Sequence, residues 1–197
     1  MDHPSRIIVL GASAGGVEAL KTLASALPAE FPAAILAVLH IPPHTPSLLA
    51  DILARKSPLT VLNASDGRPI RGGHMYVGVP DKHLLIDGDV MRVTRGPKEN
   101  RFRPSIDALF RSAAYTWGTR VVGVVLTGQL DDGTSGLWAI KDRGGVTIVQ
   151  SPRDASYPSM PMSALQYVNV DHGVDLATLP NLLTRLAQAR LVTLAVA

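Results

Sequence analysis

A doubly wound α/β fold is what the sequence predicts: a mostly parallel sheet with helices on both faces and an antiparallel hairpin elaboration. Continuous apolar runs at residues 7–10, 33–39 and 121–126 are too unbroken for half-exposed strands and suit strands covered on both faces. Polar or glycine-rich loops follow these runs, and segments of helical spacing follow the loops, which is the alternation of a parallel sheet with crossover helices. The 197 residues are 46% hydrophobic and 18% charged, a globular composition at a length that suits one domain. Residues 1–197 are accordingly read as a single domain, with room for a small subsidiary lobe.

In chain order, the first strand (7–10) passes through Gly11-Ala12-Ser13-Ala14-Gly15-Gly16 into a helix over 17–24, and the second (33–39) stops at His40, before a proline-rich stretch that forbids further pairing. Ser47 is placed to cap a helix over 48–55, whose Leu48, Leu49, Ile52 and Leu53 share one face. Short strands at 59–62, 75–79, 83–86 and 90–94 are separated by Asp66-Gly67, Gly72-Gly73 and Asp87-Gly88-Asp89. These are turn signals, and the whole section is expected to be the antiparallel elaboration. A helix over 104–114 presents Ile106, Leu109, Phe110 and Ala113 to the core, and the strand 121–126 breaks at Thr127 to Gly133. Helices at 134–141, 162–167 and 179–189 and a strand at 145–150 complete the pattern; the apolar residues 191–197 are not placed.

Composition excludes several classes. There is no cysteine, so disulfides, thiol catalysis and cysteine-based zinc sites are ruled out. The formal charge of +3 is scattered, with no run of five Lys or Arg, so a nucleic-acid partner is not expected. His3, His74, His83 and His172 lack metal-ligand spacing, no cofactor is called for, and no apolar run reaches membrane-spanning length. The first six residues carry no signal-peptide pattern, and a cytoplasmic location is expected.

The chemistry is expected where strands end. A strand turning sharply into a helix leaves unpaired backbone N–H groups beside the positive end of the helix dipole. The letters around Ser13 fit three roles: a nucleophile on a sharp turn, a phosphate-binding turn, or a plain turn with Ser13 as helix cap. Ser13, His40 and the Asp131/Asp132 pair all stand at or just beyond strand ends. Serine, histidine and aspartate are the parts of a hydrolytic triad, in which the imidazole takes the hydroxyl proton and the carboxylate orients the imidazole. His44 is an alternative base, and an Asp-Asp-Gly turn also serves as a helix cap, so Asp132 is a candidate for both duties.

Several longer motifs then carry a resemblance. They are residues 8–16, His40 with Pro42, Met75 to His83, Asn100 to Phe110, Leu126-Thr127-Gly128 with Asp131-Asp132-Gly133, and Met160-Pro161. In this order the chain, from about Arg6 to about Leu182, resembles the catalytic domain of CheB-type chemotaxis methylesterases, the protein-glutamate methylesterase and protein-glutamine glutaminase family. The resemblance implies Ser13 as nucleophile, His40 as general base and acid, and Asp132 as the orienting carboxylate. It implies a γ-glutamyl methyl ester on the cytoplasmic helices of methylated chemoreceptors as substrate, with methanol released and glutamine deamidation as a further activity. Ala14, Gly15 and Gln129 are implied to neighbour the oxyanion and substrate. The chain departs from the family pattern at Ala14, usually threonine, and at Gln129 and Leu130, usually methionine and glycine. These departures motivate an alternative, a CheB-like binding module with weak or no catalysis. The family's usual phosphoacceptor receiver domain is not represented in the six residues before the first strand, so regulation by a separate protein is expected.

Overall fold

The computed structural model describes residues 3–44 and 46–189; the apolar residues 191–197 lie outside the described residues. The main sheet contains β1 (Ile7–Ala12), β2 (Ala34–Leu39), β3 (Thr60–Asn63), β4 (His74–Val77), β7 (Val121–Val125), β8 (Val146–Gln150) and β9 (His172–Val174). Its order is β3-β4-β2-β1-β7-β8-β9, and every pairing is parallel. The chain builds outward from β1 in one direction and then restarts at β7 on its other flank. This reversal opens a crevice at the carboxyl ends of β1 and β7, the place where open α/β sheets take ligands.

β1, β2 and β7 are buried along their whole length, which explains their unbroken apolar runs. One core layer packs α1 (Gly16–Ala26), α2 (Leu49–Ala54) and α6 (Leu179–Gln188) against one face, through Leu20, Leu23, Leu53 and Leu183. The opposite layer packs α3 (Ile106–Trp117), α4 (Thr134–Asp142) and α5 (Ser159–Tyr167) through Leu109, Phe110, Leu137, Ile140 and Met160. The four α3 residues assigned to the core, Ile106, Leu109, Phe110 and Ala113, are each fully buried. No helix of the described residues is long and apolar enough to cross a membrane.

The middle section differs from the sequence-based expectation. Only β5 (His83–Asp87) and β6 (Val90–Thr94) form an antiparallel pair; β3 and β4 belong to the parallel sheet. The turn signals at Asp66-Gly67 and Gly72-Gly73 are real turns, but the chain between them crosses to β6 instead of folding back on β3. Gly67 and Ile70 donate to the Met91 and Asp89 carbonyls, and Met91 donates to Arg68. The hairpin then lies on α3, where Ser112 Oγ accepts from the Ile86 amide.

Smaller corrections concern caps and edges. Ser47 does not cap α2: Leu48 stands at that position, and Ser47 donates to Asn63 Oδ1 at 2.8 Å. α5 begins at Ser159, so Met160-Pro161 lies in its first turn, where the absent proline N–H is no loss. β9, at the edge of the sheet opposite β3, has no apolar run to announce it.

Candidate active site

β1 delivers Ser13 to the crevice and the turn after it is built by backbone bonds. The Ser13 amide donates to Thr127 O (3.0 Å), Gly16 donates to Ser13 O (2.8 Å), and the His40 amide donates to Ala12 O (3.1 Å). Gly15 stands at the N-cap of α1 with φ 75° and no side-chain cap bond, so the plain-cap role for Ser13 is not the one found. A side chain at Gly15 would be strained in that conformation and would crowd Thr127, whose Oγ1 lies 3.2 Å from the place of a Cβ. Among the described residues, the Ala14 and Gly15 amides donate to no protein acceptor. They are unpaired N–H groups at a helix N-terminus, directly after Ser13.

His40 follows β2, the neighbour of β1. Its Nδ1 lies 3.0 Å from Ser13 Oγ and its Nε2 lies 2.7 Å from Asp132 Oδ2. An ionised carboxylate only accepts, so Nε2 carries the proton and the Nδ1 lone pair accepts from the Ser13 hydroxyl. The ring is also held flat against Phe102, with centroids 3.5 Å apart and planes 5° from parallel. His44 is exposed and the structure does not bring it to Ser13.

Asp132 hangs from the loop between β7 and α4, fully buried. It does not cap α4, whose N-cap is Gly133. Its carboxylate instead turns to the N-terminus of α3, accepting from the Ile106 amide (2.7 Å) and the Asp107 amide (3.1 Å), and also from Ser105 Oγ (2.9 Å) and Asn100 Nδ2 (3.0 Å). Burial by itself pushes the Asp132 carboxyl up. The hydrogen bonds from His40, Ile106 and Asn100 outweigh this and leave it below the ordinary carboxylate range. Asp132 is therefore an anion poised to hold an imidazolium. Asp131, its neighbour, is exposed and outside this network.

On the other side of Ser13 runs the Thr127–Gln129 loop. Gly128 is required by close approach: a Cβ there would lie 2.1 Å from Met160 Sδ and 2.8 Å from Ser13 Cβ. Gln129 and Leu130 are exposed beyond it, and Leu130 holds φ 66°, a conformation that costs a branched side chain on the order of 1–2 kcal/mol. A cleft of ≈ 450 Å³ contains Ser13, Ala14, His40, Pro42 and Phe102. A larger groove of ≈ 930 Å³, lined by Gln129, Leu130, Tyr157, Met162 and Tyr167, adjoins this cleft through Arg101, which borders both.

The structure thus brings Ser13, His40 and Asp132 together, with Ala14 and Gly15 next to the hydroxyl and Gln129 on the facing loop. The residues that sequence reasoning gave no individual role are Asn100, Phe102, Ser105, Asp107 and Thr127. The signal lay in the Asn100–Phe110 motif, where Asp107 sits between Ile106 and Ala108 on a helix face that is otherwise buried and apolar. His83 has a bland role: it is buried, with Nε2 on Pro97 O (2.7 Å) and Nδ1 accepting from the Ser105 amide (3.2 Å).

A family model described as CheB methylesterase matches residues 8–183 of the chain. A relative in Leptospira interrogans, named a putative protein-glutamate methylesterase/protein-glutamine glutaminase, is 37% identical over 93% of this chain and 96% of its own. A second, from Anaeromyxobacter dehalogenans and named a protein-glutamate methylesterase/protein-glutamine glutaminase, is 37% identical over 92% of this chain but only 53% of its own length. Among solved structures, the Thermotoga maritima CheB methylesterase catalytic domain superposes with a TM-score of 0.89 at 31% identity, covering 92% of this chain and 98% of that one.

Proposed function

Because the chain belongs to the CheB methylesterase family, we propose that it hydrolyses γ-methyl esters of glutamate side chains through a Ser13 acyl-enzyme. The observation that carries this is the continuous hydrogen-bonded line from Ser13 Oγ through the His40 ring to a buried, ionised Asp132. In the first half-reaction Ser13 Oγ attacks the γ-carbonyl carbon while its proton passes to His40 Nδ1. The resulting imidazolium is held by Asp132 at Nε2 and returns the proton to the departing methoxide, releasing methanol. In the second, His40 takes a proton from water, hydroxide attacks the acyl carbon, and Ser13 leaves with that proton, giving a free glutamate carboxyl. A primary amide in place of the ester passes through the same steps with ammonia as leaving group, which is the glutamine-deamidating variant.

The tetrahedral oxyanion would take the unpaired Ala14 and Gly15 amides, with the backbone near Gln129 facing them; one such donor typically stabilises the transition state by about 3 kcal/mol. Such main-chain donors do not depend on the threonine that Ala14 replaces. Methylated chemoreceptor helices are the proposed substrate, reached through the exposed mouth where Lys98 and Arg101 line the cleft, and control by a separate regulatory protein is proposed with them. The competing reading, a binding module without turnover, draws on Ala14 and Gln129. An intact line from nucleophile to carboxylate favours the enzyme.

The test is methanol release from a methylated chemoreceptor cytoplasmic domain. Wild-type protein should turn over, and Ser13→Ala should fall to the uncatalysed background while still binding the receptor. Turnover by Ser13→Ala at the wild-type rate would sink the assignment of the nucleophile.

A further inference from the structure

We propose that Asp107 and Asn100 are positioning residues that hold the Asp132 carboxylate against His40 by tying the N-termini of α3 and α4 to each other. This rests on the triad reading above and adds two residues to it.

The geometry is reciprocal. Asp132, which precedes α4, accepts from the first amides of α3, Ile106 and Asp107. Asp107, in the first turn of α3, returns the arrangement: its Oδ1 accepts from the Gly133 amide (3.0 Å) and the Gly136 amide (2.6 Å) at the start of α4. Each helix therefore has its unpaired N–H groups satisfied by the other helix's carboxylate. The Gly133 bond matters most for the site, because Gly133 is the residue after Asp132 and has φ 101°. Holding its amide fixes the direction in which the Asp132 side chain leaves the backbone.

Asn100 closes the arrangement. A primary amide nitrogen has two hydrogens, and Asn100 Nδ2 spends one on Asp107 Oδ2 (2.6 Å) and one on Asp132 Oδ1 (3.0 Å). Two buried carboxylates in one site repel, and a donor shared between them is what lets both remain. Asn100 does this from a left-handed backbone, φ 48°, followed by Arg101 at φ 71°, a conformation that needs surrounding contacts to persist. Those contacts include Arg103, which clamps the loop by donating to Asp81 Oδ1 (2.9 Å) and Gly96 O (2.6 Å), and Phe102, stacked on His40.

The ionisable groups around Asp107 are few. Asp132 faces it from the β7–α4 loop, with His40 beyond; Arg111 faces it from α3 and is itself ion-paired with Glu99 from the preceding loop. His83 reaches the same helix N-terminus only through the Ser105 amide. The charge of Asp132 therefore bears directly on Asp107.

The test compares wild type with Asn100→Ala, Asp107→Asn and the double variant, by methanol-release kinetics and by the low-field imidazole N–H proton signal of His40. That signal is assigned by its loss in His40→Ala and reads the His40–Asp132 bond without substrate, so it separates failure of this proposal from failure of the esterase reading. Each single variant should lower kcat about ten- to a hundredfold with KM nearly unchanged, as loss of an orienting partner does elsewhere. Asp107→Asn should also broaden or shift the His40 signal. The double variant should lose little more than the worse single, because both act on one carboxylate. Asn100 is an exposed loop residue, so its variant should fold even where Asp107→Asn does not. Wild-type kcat with an unaltered His40 signal in Asn100→Ala would overturn the proposal, as would losses that multiply in the double variant.

Discussion

The two sides of Ser13 are built on different principles. On the His40 side a side-chain carboxylate does the holding: Asp132 alone accepts five hydrogen bonds, from the His40, Ser105 and Asn100 side chains and the Ile106 and Asp107 amides. On the side proposed to take the oxyanion, Ala14, Gly15 and Gln129 bring backbone and little else, and the side chains there are small or exposed. A buried carboxylate must be satisfied or neutralised, so the His40 side tolerates almost no change. Backbone donors need only the right turn, so the other side can vary in side chain. The chain's departures from the family pattern, at Ala14, Gln129 and Leu130, all fall on that permissive side.

The largest effect should come from the locked side. Asp132→Asn would turn an amide donor toward His40 Nε2, favour the wrong tautomer and reduce kcat by about 10⁴; a loss below tenfold in steady-state turnover would break the comparison. Next is Gly128→Ala, where the added carbon would meet Met160 Sδ and Ser13 Cβ and displace Ser13. A misplacement on this scale costs on the order of 10²-fold, measured as kcat/KM in a protein whose circular dichroism is native.

Restoring the family pattern on the permissive side, with Ala14→Thr and Gln129→Met together, should change kcat/KM by no more than about tenfold. A much larger gain would show that side chains, not main-chain amides, hold the oxyanion. Leu130→Gly should raise thermal stability, by on the order of 1 kcal/mol, because the strain at φ 66° is relieved at a half-exposed position.

The pH dependence of stability sharpens the contrast within the locked side itself. Burial, then the charge of Asp132, raise Asp107 to about 6, against the bonds from Gly136 and Asn100. Its folded value exceeds its unfolded one, so its contribution to stability is full below the unfolded carboxylate range and is lost as pH rises through about 6. Asp132 is shifted the other way, and its contribution is lost as pH falls through its depressed folded value. Denaturant titrations should therefore show Asp107→Asn removing a decline in stability between about pH 4 and 6, the window from an ordinary Asp to the raised value. An unchanged profile would mean that Asp107 does not titrate in that window.

Much of this was legible in the amino-acid sequence. The runs at β1, β2 and β7 announced strands buried on both faces because parallel strands under two helix layers have no polar side to show. Glycine and proline marked where they stop, and reactive residues at those stops named Ser13, His40 and the Asp131/Asp132 pair. The resemblance then singled out Asp132, and the tertiary structure gives the physical reason: Asp131 faces water, while Asp132 faces the N-terminus of a helix that begins 26 residues earlier with Ile106. Local pattern cannot see that partner. The same limit hid Asn100 and Asp107, whose roles exist only once α3 and α4 meet, and misread β3 and β4, whose turns look like hairpin turns until the crossing chain finds β6. What depends on spacing along one element was written in the sequence; what depends on which helix end faces which carboxylate was decided by packing, since hydrogen bonds to buried charges are satisfied across space and leave no period behind.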